Sequence, residues 1–426
     1  MKMYDGNMKI TNIRIIDPAN NRDETADIYV KDGIIVTAEE YAESDDDTEI
    51  DGSGLIAGPG LVDVHVHFRD PGQTHKEDIH TGACAAAAGG FTSVVMMANT
   101  TPPLDCPEAV REVLSRAKKE DIHIYTCANV TKGMKGEELC DYPSLIEAGA
   151  VGFTDDGRPI TDEAVLEKAF EEISKLGVPI SLHEEDPAYI CENGVNSGYA
   201  ASSVGLKGSD RKAEISIIER DLKIASKYNV KLDIQHISTM EGIDAVRRAK
   251  NGLADIHAEA TPHHFTLTDS AVSEHGTNAK MNPPLRSADD REAVWEGLSD
   301  GTIDMIATDH APHSKEEKSR DFKDAPSGII GLETSFLLAY TVLYKKGVVD
   351  FSKLFGLMSV NPAKFYGLNA GTLSAGAPAD IMIFDPNGIT DYKTSRSKSC
   401  NSPFLGRSFD CKIVYTISDG KIVYSS

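Results

Sequence analysis

Leu61-Val62-Asp63-Val64-His65-Val66-His67-Phe68-Arg69 alternates apolar residues with Asp63, His65 and His67. Alternation is the period of a β-strand, so one strand sets these three side chains on one face. Residues two apart on a strand lie ~7 Å apart at the α-carbon. Two imidazoles leaning together from such positions can share a metal ion, with bonds of about 2.0–2.1 Å. Taken alone, a His-x-His pair is as readily two strand histidines bonded to backbone. Its meaning rests on the acidic and histidine residues that end the later apolar runs.

From this stretch onward, eight short apolar runs follow one another: 61–67, 92–98, 122–128, 150–154, 178–183, 230–236, 254–261 and 303–308. Helix-compatible segments separate them, among them Pro107 to Lys119, Asp162 to Leu176, Glu214 to Tyr228, Met240 to Lys250 and Asp289 to Leu298. Repeated strand and helix predict an α/β fold, a parallel (β/α)8 TIM-like barrel. The Gly- and Asn-rich 184–213 region reads as a longer loop over one end. Both chain ends have a different texture. Ile10–Ile16, Ala26–Val30 and Gly33–Val36 are short β-like runs between Asp-Pro and Asp-Gly turns, and the acidic Glu43 to Asp47 reads as a solvated loop. Ala379–Phe384, Cys411–Ile417 and Asp419–Tyr424 repeat the pattern. Residues 1–58 and 367–426 are therefore expected to fold together as one small β-sandwich domain, with 59–366 forming the barrel.

Composition narrows the function classes. At 426 residues, 40% hydrophobic and 26% charged, the chain is typical of a soluble globular protein. A formal charge of −24 argues against a nucleic-acid surface and an anionic membrane. It leaves room for an anionic substrate, because a bound metal reverses the local field. The seven cysteines are scattered without a C-x-x-C, which suggests reduced thiols and a cytoplasmic location. The N-terminus, Met1 to Gly6, lacks the apolar core of a signal peptide. Thr81 to Leu104 is uncharged, but Gly89-Gly90 and Asn99-Thr100-Thr101 divide it into a helix end and a strand rather than a membrane span.

In a barrel of this kind, reactive groups sit where strands end and loops begin. Read in order, those ends carry His65 and His67, Asn99, Asp155-Asp156, His183, His236, His263-His264 and Asp309. Four His and two carboxylates suffice for two metal ions sharing a bridge. Nitrogen and oxygen ligands without thiolate suit Zn²⁺, with Mn²⁺, Co²⁺ or Fe²⁺ as alternatives. Two metals about 3.5–4 Å apart generate hydroxide at neutral pH and polarise a carbonyl. Either Asp155 or Asp156 fits the bridge.

These residues also carry a family resemblance. Asp63-x-His65-x-His67-x-Arg69, Gly152-Phe153-Thr154-Asp155-Asp156-Gly157, His183-Glu184-Glu185-Asp186, His236-Ile237-Ser238-Thr239, Met281-Asn282-Pro283-Pro284-Leu285-Arg286 and Ala307-Thr308-Asp309-His310-Ala311-Pro312-His313 resemble the bacterial and archaeal class I dihydroorotases of the amidohydrolase superfamily. The likeness runs through the barrel to Gly371-x-Leu373-x-x-Gly376-x-x-Ala379-Asp380. It implies two zinc ions per subunit, bridged by Asp156 and hydroxide. His65, His67 and Asp309 would hold one, His183 and His236 the other. Arg69, Asn99 and His313 would bind the substrate carboxylate, and Asn282 with the backbone at Ser327-Gly328 the pyrimidine ring. Where the family usually has Pro, this chain has Ala98 beside Asn99.

The activity so implied is reversible hydrolysis of the cyclic amide of dihydroorotate to N-carbamoyl-aspartate, a step of pyrimidine biosynthesis, with Asp309 carrying the proton. The resemblance also implies a homodimer and association with aspartate carbamoyltransferase. Two other readings remain. A hydantoinase or allantoinase would bridge its metals with a carboxylated Lys, and the run Ala150 to Asp156 contains none. A non-catalytic dihydroorotase-like subunit would lack metal ligands, whereas all six positions are filled here. Residues 311–331, rich in charge, Pro and Gly, are expected to order over the substrate as a lid.

Overall fold

The computed structural model describes residues 7–41, 48–252 and 255–426. The acidic stretch Glu43 to Asp47, the N-terminal Met1 to Gly6 and Ala254, first residue of the seventh apolar run, lie outside the described residues.

Five strands come first: β1 (Met8–Asp17), β2 (Arg22–Lys31), β3 (Ile34–Val36), β4 (Thr48–Asp51) and β5 (Ile56–Pro59). The central part supplies β6 (Leu61–Val66), β7 (Phe91–Met96), β8 (His123–Thr126), β9 (Ile180–Leu182), β10 (Leu232–Ile234), β11 (Ile256–Ala260) and β12 (Met305–Ile306). The C-terminal part adds β13 (Ile381–Asp385), the short β14 (Thr390–Asp391) and β15 (Ser408–Phe409), β16 (Lys412–Ser418) and β17 (Lys421–Ser425).

Strands from the two chain ends join one sheet, in the order β17-β16-β13-β5-β1-β2-β3, with β4 also on β1. The sheet divides at β1, whose first half pairs with β4 and whose second half pairs with β5. Two Asp-Gly turns close the β2-β3 and β16-β17 hairpins. Asp32-Gly33 has φ of 51° and 78°, and Asp419-Gly420 has 46° and 74°. Two positive φ values in a row mark the turn whose twist matches paired strands, and glycine adopts it without strain. The two turns meet: a side chain at Gly33 would lie 2.8 Å from the carbonyl oxygen of Asp419. A separate apolar cluster, including Ile10, Ile13, Ile28, Val30, Ala379, Ile381 and Ile417, belongs to these strands.

The central strands pair in parallel, β6-β7-β8 and β9-β10-β11-β12. The fourth expected run, 150–154, forms no strand of its own. Only Phe153 pairs, with Ala128 on one side and Ile180 on the other, both parallel. Gly152 tightens this link, since a side chain there would meet Tyr366 Cε1 at 2.9 Å. After β12, His310 pairs in parallel with Val66, so the pairings return to β6.

Helices alternate with these strands, and their ends follow local chemistry. Thr239 caps Met240–Lys250 by accepting from Gly242 N, and Asp162 caps Glu163–Ile173 by accepting from Ala164 N and Val165 N. Ser287 and Asp290 form a reciprocal capping box on Ala288–Asp300. Thr81 to Leu104 holds most of the helix Ile79–Ala88 followed by β7, as its glycines predict. Among the described residues no helix is long and apolar enough to cross a membrane.

Candidate metal centre

Turns with left-handed backbone end three of the central strands. Arg69, His236 and Asp309 have φ of 57°, 34° and 46°. Non-glycine residues adopt such angles at a cost, and strain of this kind gathers where side chains must be aimed.

The six expected ligands converge. Asp156 is the hub: its Oδ1 lies 3.5 Å from His65 Nε2, 3.7 Å from His183 Nδ1 and 3.8 Å from His236 Nε2, and its Oδ2 lies 3.4 Å from His67 Nε2. Asp309 Oδ1 faces His67 Nε2 at 3.0 Å and His65 Nε2 at 3.6 Å. His183 Nδ1 and His236 Nε2 are 3.0 Å apart. Two ligand atoms at about 2.05 Å from a tetrahedral ion stand about 3.3 Å from each other, so most of these separations suit atoms sharing a cation. All six side chains are buried. His65, Asp156 and His236 form one group with ligand atoms mutually within 4.8 Å, and His65, His67 and Asp309 form another.

The donor set fits a metal on a further count. His65 Nε2 is fully buried and has no hydrogen-bond partner. Its other nitrogen, Nδ1, faces Glu259 Oε1 at 2.5 Å. That bond places the proton on Nδ1 and leaves a lone pair on Nε2, as a metal ligand requires. His67 repeats the arrangement, its Nδ1 donating to Asn99 Oδ1 at 3.0 Å. His183 turns the other way, with Nε2 against Glu185 Oε2 at 3.1 Å and Nδ1 toward Asp156.

Electrostatics agree. Burial opposes a charge on His65, yet Glu259 and Asp156 raise its pKa well above the ordinary histidine value. Burial likewise lowers and the carboxylates raise His183, with a net push to about 10. On Asp156 burial is outweighed by His65, His183 and His236, which hold its carboxyl well below the usual range. The pocket has an excess of negative field at its base, where a cation is stabilised.

The structure separates the two adjacent aspartates. Asp155 is bonded away from the cluster, accepting from Val130 N at 2.9 Å, from Thr131 N at 3.1 Å and from the Thr131 hydroxyl. Only Asp156 faces the histidines.

A cavity of about 200 Å³ opens over the cluster. Arg69, Asn99, Asn282, His313, Ser327 and Gly328 all line it, together with His67, Asp156, His183, His236 and Asp309, while His65 lies beneath. Arg69 donates from Nε to Pro312 O at 3.3 Å. Among the described residues no carboxylate lies within ion-pair distance of it. His313 Nε2 donates to Ser327 O at 2.8 Å. Burial and the positive charges of Arg69, Lys76 and Lys318 push its imidazole down to about 2, so it stays neutral. Asn282 Oδ1 accepts from the Ser327 hydroxyl at 3.0 Å. Asn99 lines the wall with its amide already engaged, donating to Asp156 Oδ2 at 2.9 Å. Gly328 N–H is taken by Lys280 O at 2.9 Å, whereas the Ser327 N–H has no hydrogen-bond acceptor among the described residues.

Sequence reasoning missed several residues. Glu259 shows only as an acidic residue inside a buried strand run, a signal that was available. Lys76, at 3.3 Å from His313 Nδ1, and Asn401, which accepts from His313 N at 3.0 Å, carried none. A third candidate group, His123, Asp380 and Asp419, lies apart from this centre. His123 Nε2 stands 3.0 Å from Asp380 Oδ2 and ties β8 to the terminal sheet as an ion pair.

Residues 56–423 match the model of the amidohydrolase family. A dihydroorotase of Clostridioides difficile (strain 630) is 51% identical over 418 residues, covering 98% of this chain and 99% of that protein. A dihydroorotase of Lactococcus lactis subsp. lactis (strain IL1403) is 50% identical over 420 residues, with 98% and 99% covered. Among solved structures, an L-hydantoinase (dihydropyrimidinase) from Arthrobacter aurescens superposes with a TM-score of 0.86 at 26% identity, covering 98% of this chain and 96% of its own. A dihydropyrimidinase from Brevibacillus agri gives 0.84 at 21% identity, a likeness of fold, covering 97% and 94%. The chain belongs to the amidohydrolase family and, within it, groups with the dihydroorotases.

Proposed function

We propose that the chain is a dihydroorotase, a metal-dependent hydrolase that opens and closes the cyclic amide of dihydroorotate in pyrimidine biosynthesis. The observation that carries this reading is a half-buried Arg69 that has no carboxylate partner among the described residues and lines the same small cavity as His67, His183, His236, Asp156 and Asp309. Such a guanidinium suits bidentate capture of a substrate carboxylate, which dihydroorotate has and hydantoin and allantoin lack. The curated relatives at about half identity over nearly the whole chain support it, and the hydantoinase-like solved structures are far more distant in sequence.

His65, His67 and Asp309 would hold one divalent cation and His183 and His236 a second, with Asp156 between them; zinc suits this donor set. When bound, such a pair supplies an acidified water and polarises the scissile carbonyl. The chain's own groups do the rest. Arg69 and His313 anchor the carboxylate, with Asn99 on the same wall. Asn282 and the Ser327 N–H hold the ring edge. Asp309, with Oδ1 turned to His67 and His65, keeps Oδ2 to take a proton from water and deliver it to the departing ring nitrogen. In the biosynthetic direction the same carboxyl returns the proton and the ring closes.

The returning ring of parallel pairings is read as the (β/α)8 barrel of residues 59–366, and the divided sheet as the small β-sandwich domain of 1–58 and 367–426. Seven unpaired cysteines support a reducing, cytoplasmic setting. A homodimer and association with aspartate carbamoyltransferase follow from the resemblance, and co-sedimentation tests both. The decisive assay compares dihydroorotate, hydantoin and allantoin in parallel, before and after chelation. Turnover of dihydroorotate alone, lost on chelation and restored by zinc, is expected. Faster turnover of hydantoin or allantoin refutes the reading. Full metal content without any turnover would favour the non-catalytic subunit.

A further inference from the structure

Two buried lysines face the loop that walls the cavity. Lys280 is 3% exposed, and Lys318, at the end of the helix Lys315–Lys318, is 6% exposed. Lys280 Nζ donates to the carbonyl oxygens of Phe322 at 2.7 Å, Lys323 at 3.2 Å and Ala325 at 2.7 Å. Lys318 Nζ donates to those of Pro326 at 3.0 Å and Gly328 at 3.1 Å. Among the described residues neither lysine has a carboxylate within ion-pair distance. An ammonium carries three donors and no acceptor, so the loop carbonyls alone saturate Lys280. Buried cations without counter-charge are tolerated only when their donors are met. Unfastening the loop would leave the buried Lys280 ammonium without its three acceptors, and would take both acceptors from Lys318 Nζ, whose pKa burial and the charge of Lys280 already lower to about 7.

The fastened segment is also the one that shapes the site. Ser327 O accepts from His313 and the Ser327 hydroxyl donates to Asn282, the two groups expected to touch carboxylate and ring. Lys280 grips the segment a second time, its own carbonyl accepting from Gly328 N at 2.9 Å. The 184–213 loop packs against the same residues at Gly194. A side chain there would meet Lys280 Cγ at 2.5 Å and Ser327 Oγ at 2.6 Å. The expected lid is therefore already tied down, by lysines that touch none of the reacting groups.

We propose that Lys280 and Lys318 are positioning residues that fix the backbone of residues 322–328, and through Ser327 set substrate affinity rather than the bond-breaking step. The proposal rests on the dihydroorotase reading and refines it. Its test compares Lys280→Met, Lys318→Met and the two Lys→Arg variants with the parent enzyme, each at full metal content. Each Met variant is expected to raise KM for dihydroorotate about tenfold or more, with kcat within about threefold. The Arg variants should recover part of that affinity. In the metal-free protein, amide hydrogen exchange across 322–328 should quicken in the Met variants while the rest of the chain is unchanged. Unchanged KM together with unchanged exchange overturns the proposal, as does a fall in kcat at constant KM. If a Met variant fails to fold, the Lys→Gln variant, which keeps an amide donor, carries the exchange measurement. Should the parent enzyme not turn over dihydroorotate, the functional reading fails, and exchange alone still decides whether the lysines fasten the loop.

Discussion

Replacing Glu259 by Gln removes one negative charge from beneath the metal centre and alters little else. Glu259 Oε1 accepts from His65 Nδ1 at 2.5 Å and from the backbone N–H of His236 at 3.3 Å. One oxygen thus steadies a ligand of each proposed metal position. The amide oxygen of Gln can accept the same two bonds, so geometry is kept and charge is lost. A hydrogen bond to a charged group is roughly twice as strong as a neutral one, a difference of about 1–2 kcal/mol. At about 1.4 kcal/mol per tenfold, that is about 5–30-fold in metal affinity. Partners that orient histidine ligands typically contribute about 10–100-fold, so roughly tenfold weaker binding is expected. Competition against a chromophoric chelator of known affinity measures it, with circular dichroism as the check on folding. At saturating metal, turnover should return to within a few-fold of the parent. Metal affinity unchanged within about twofold would refute the argument that Glu259 acts through His65.

Asp309→Asn should fold normally, as judged by thermal unfolding, yet lose about a thousandfold or more in turnover; near-normal turnover would remove Asp309 as the proton carrier. Arg69→Met should raise KM for dihydroorotate about 10–100-fold, in line with about 1.5–3 kcal/mol for a charged hydrogen bond; an unchanged KM would place the carboxylate elsewhere. Acid sensitivity should depend on His313. Its folded imidazole stays neutral down to about 2, while the unfolded one protonates near the ordinary value of about 6.5. The unfolded state therefore binds the extra proton, and stability falls as pH drops below about 6.5, by up to ~1.4 kcal/mol per pH unit. Denaturant titrations between about pH 6.5 and 4.5 should show a shallower decline in His313→Gln, and an identical slope would contradict the assignment.

Local chemistry made much of this protein legible. The hairpins at Asp32-Gly33 and Asp419-Gly420 are written in two residues each, and Thr239 marks the start of the helix Met240–Lys250 one residue ahead. The run 150–154 was harder. Its apolar residues promise a strand, but pairing comes down to Phe153 alone, held by Ala128 and Ile180 from elsewhere in the chain. Asp155 and Asp156 are chemically identical neighbours. What separates them is the 130–131 backbone, which captures Asp155 and leaves Asp156 to the histidines.

The period of each element, the turns that join them and the residue types available at the strand ends could be read directly, because these depend on a few neighbouring residues. Partnership between distant side chains came from the folded chain. Glu259 lies 194 residues from His65, and Asn401 lies 88 from His313. Lys280 is linked to Ala325 across 45 residues. Contacts of that span follow from how the strands close upon each other, and no local pattern records which side chain the closure brings to which.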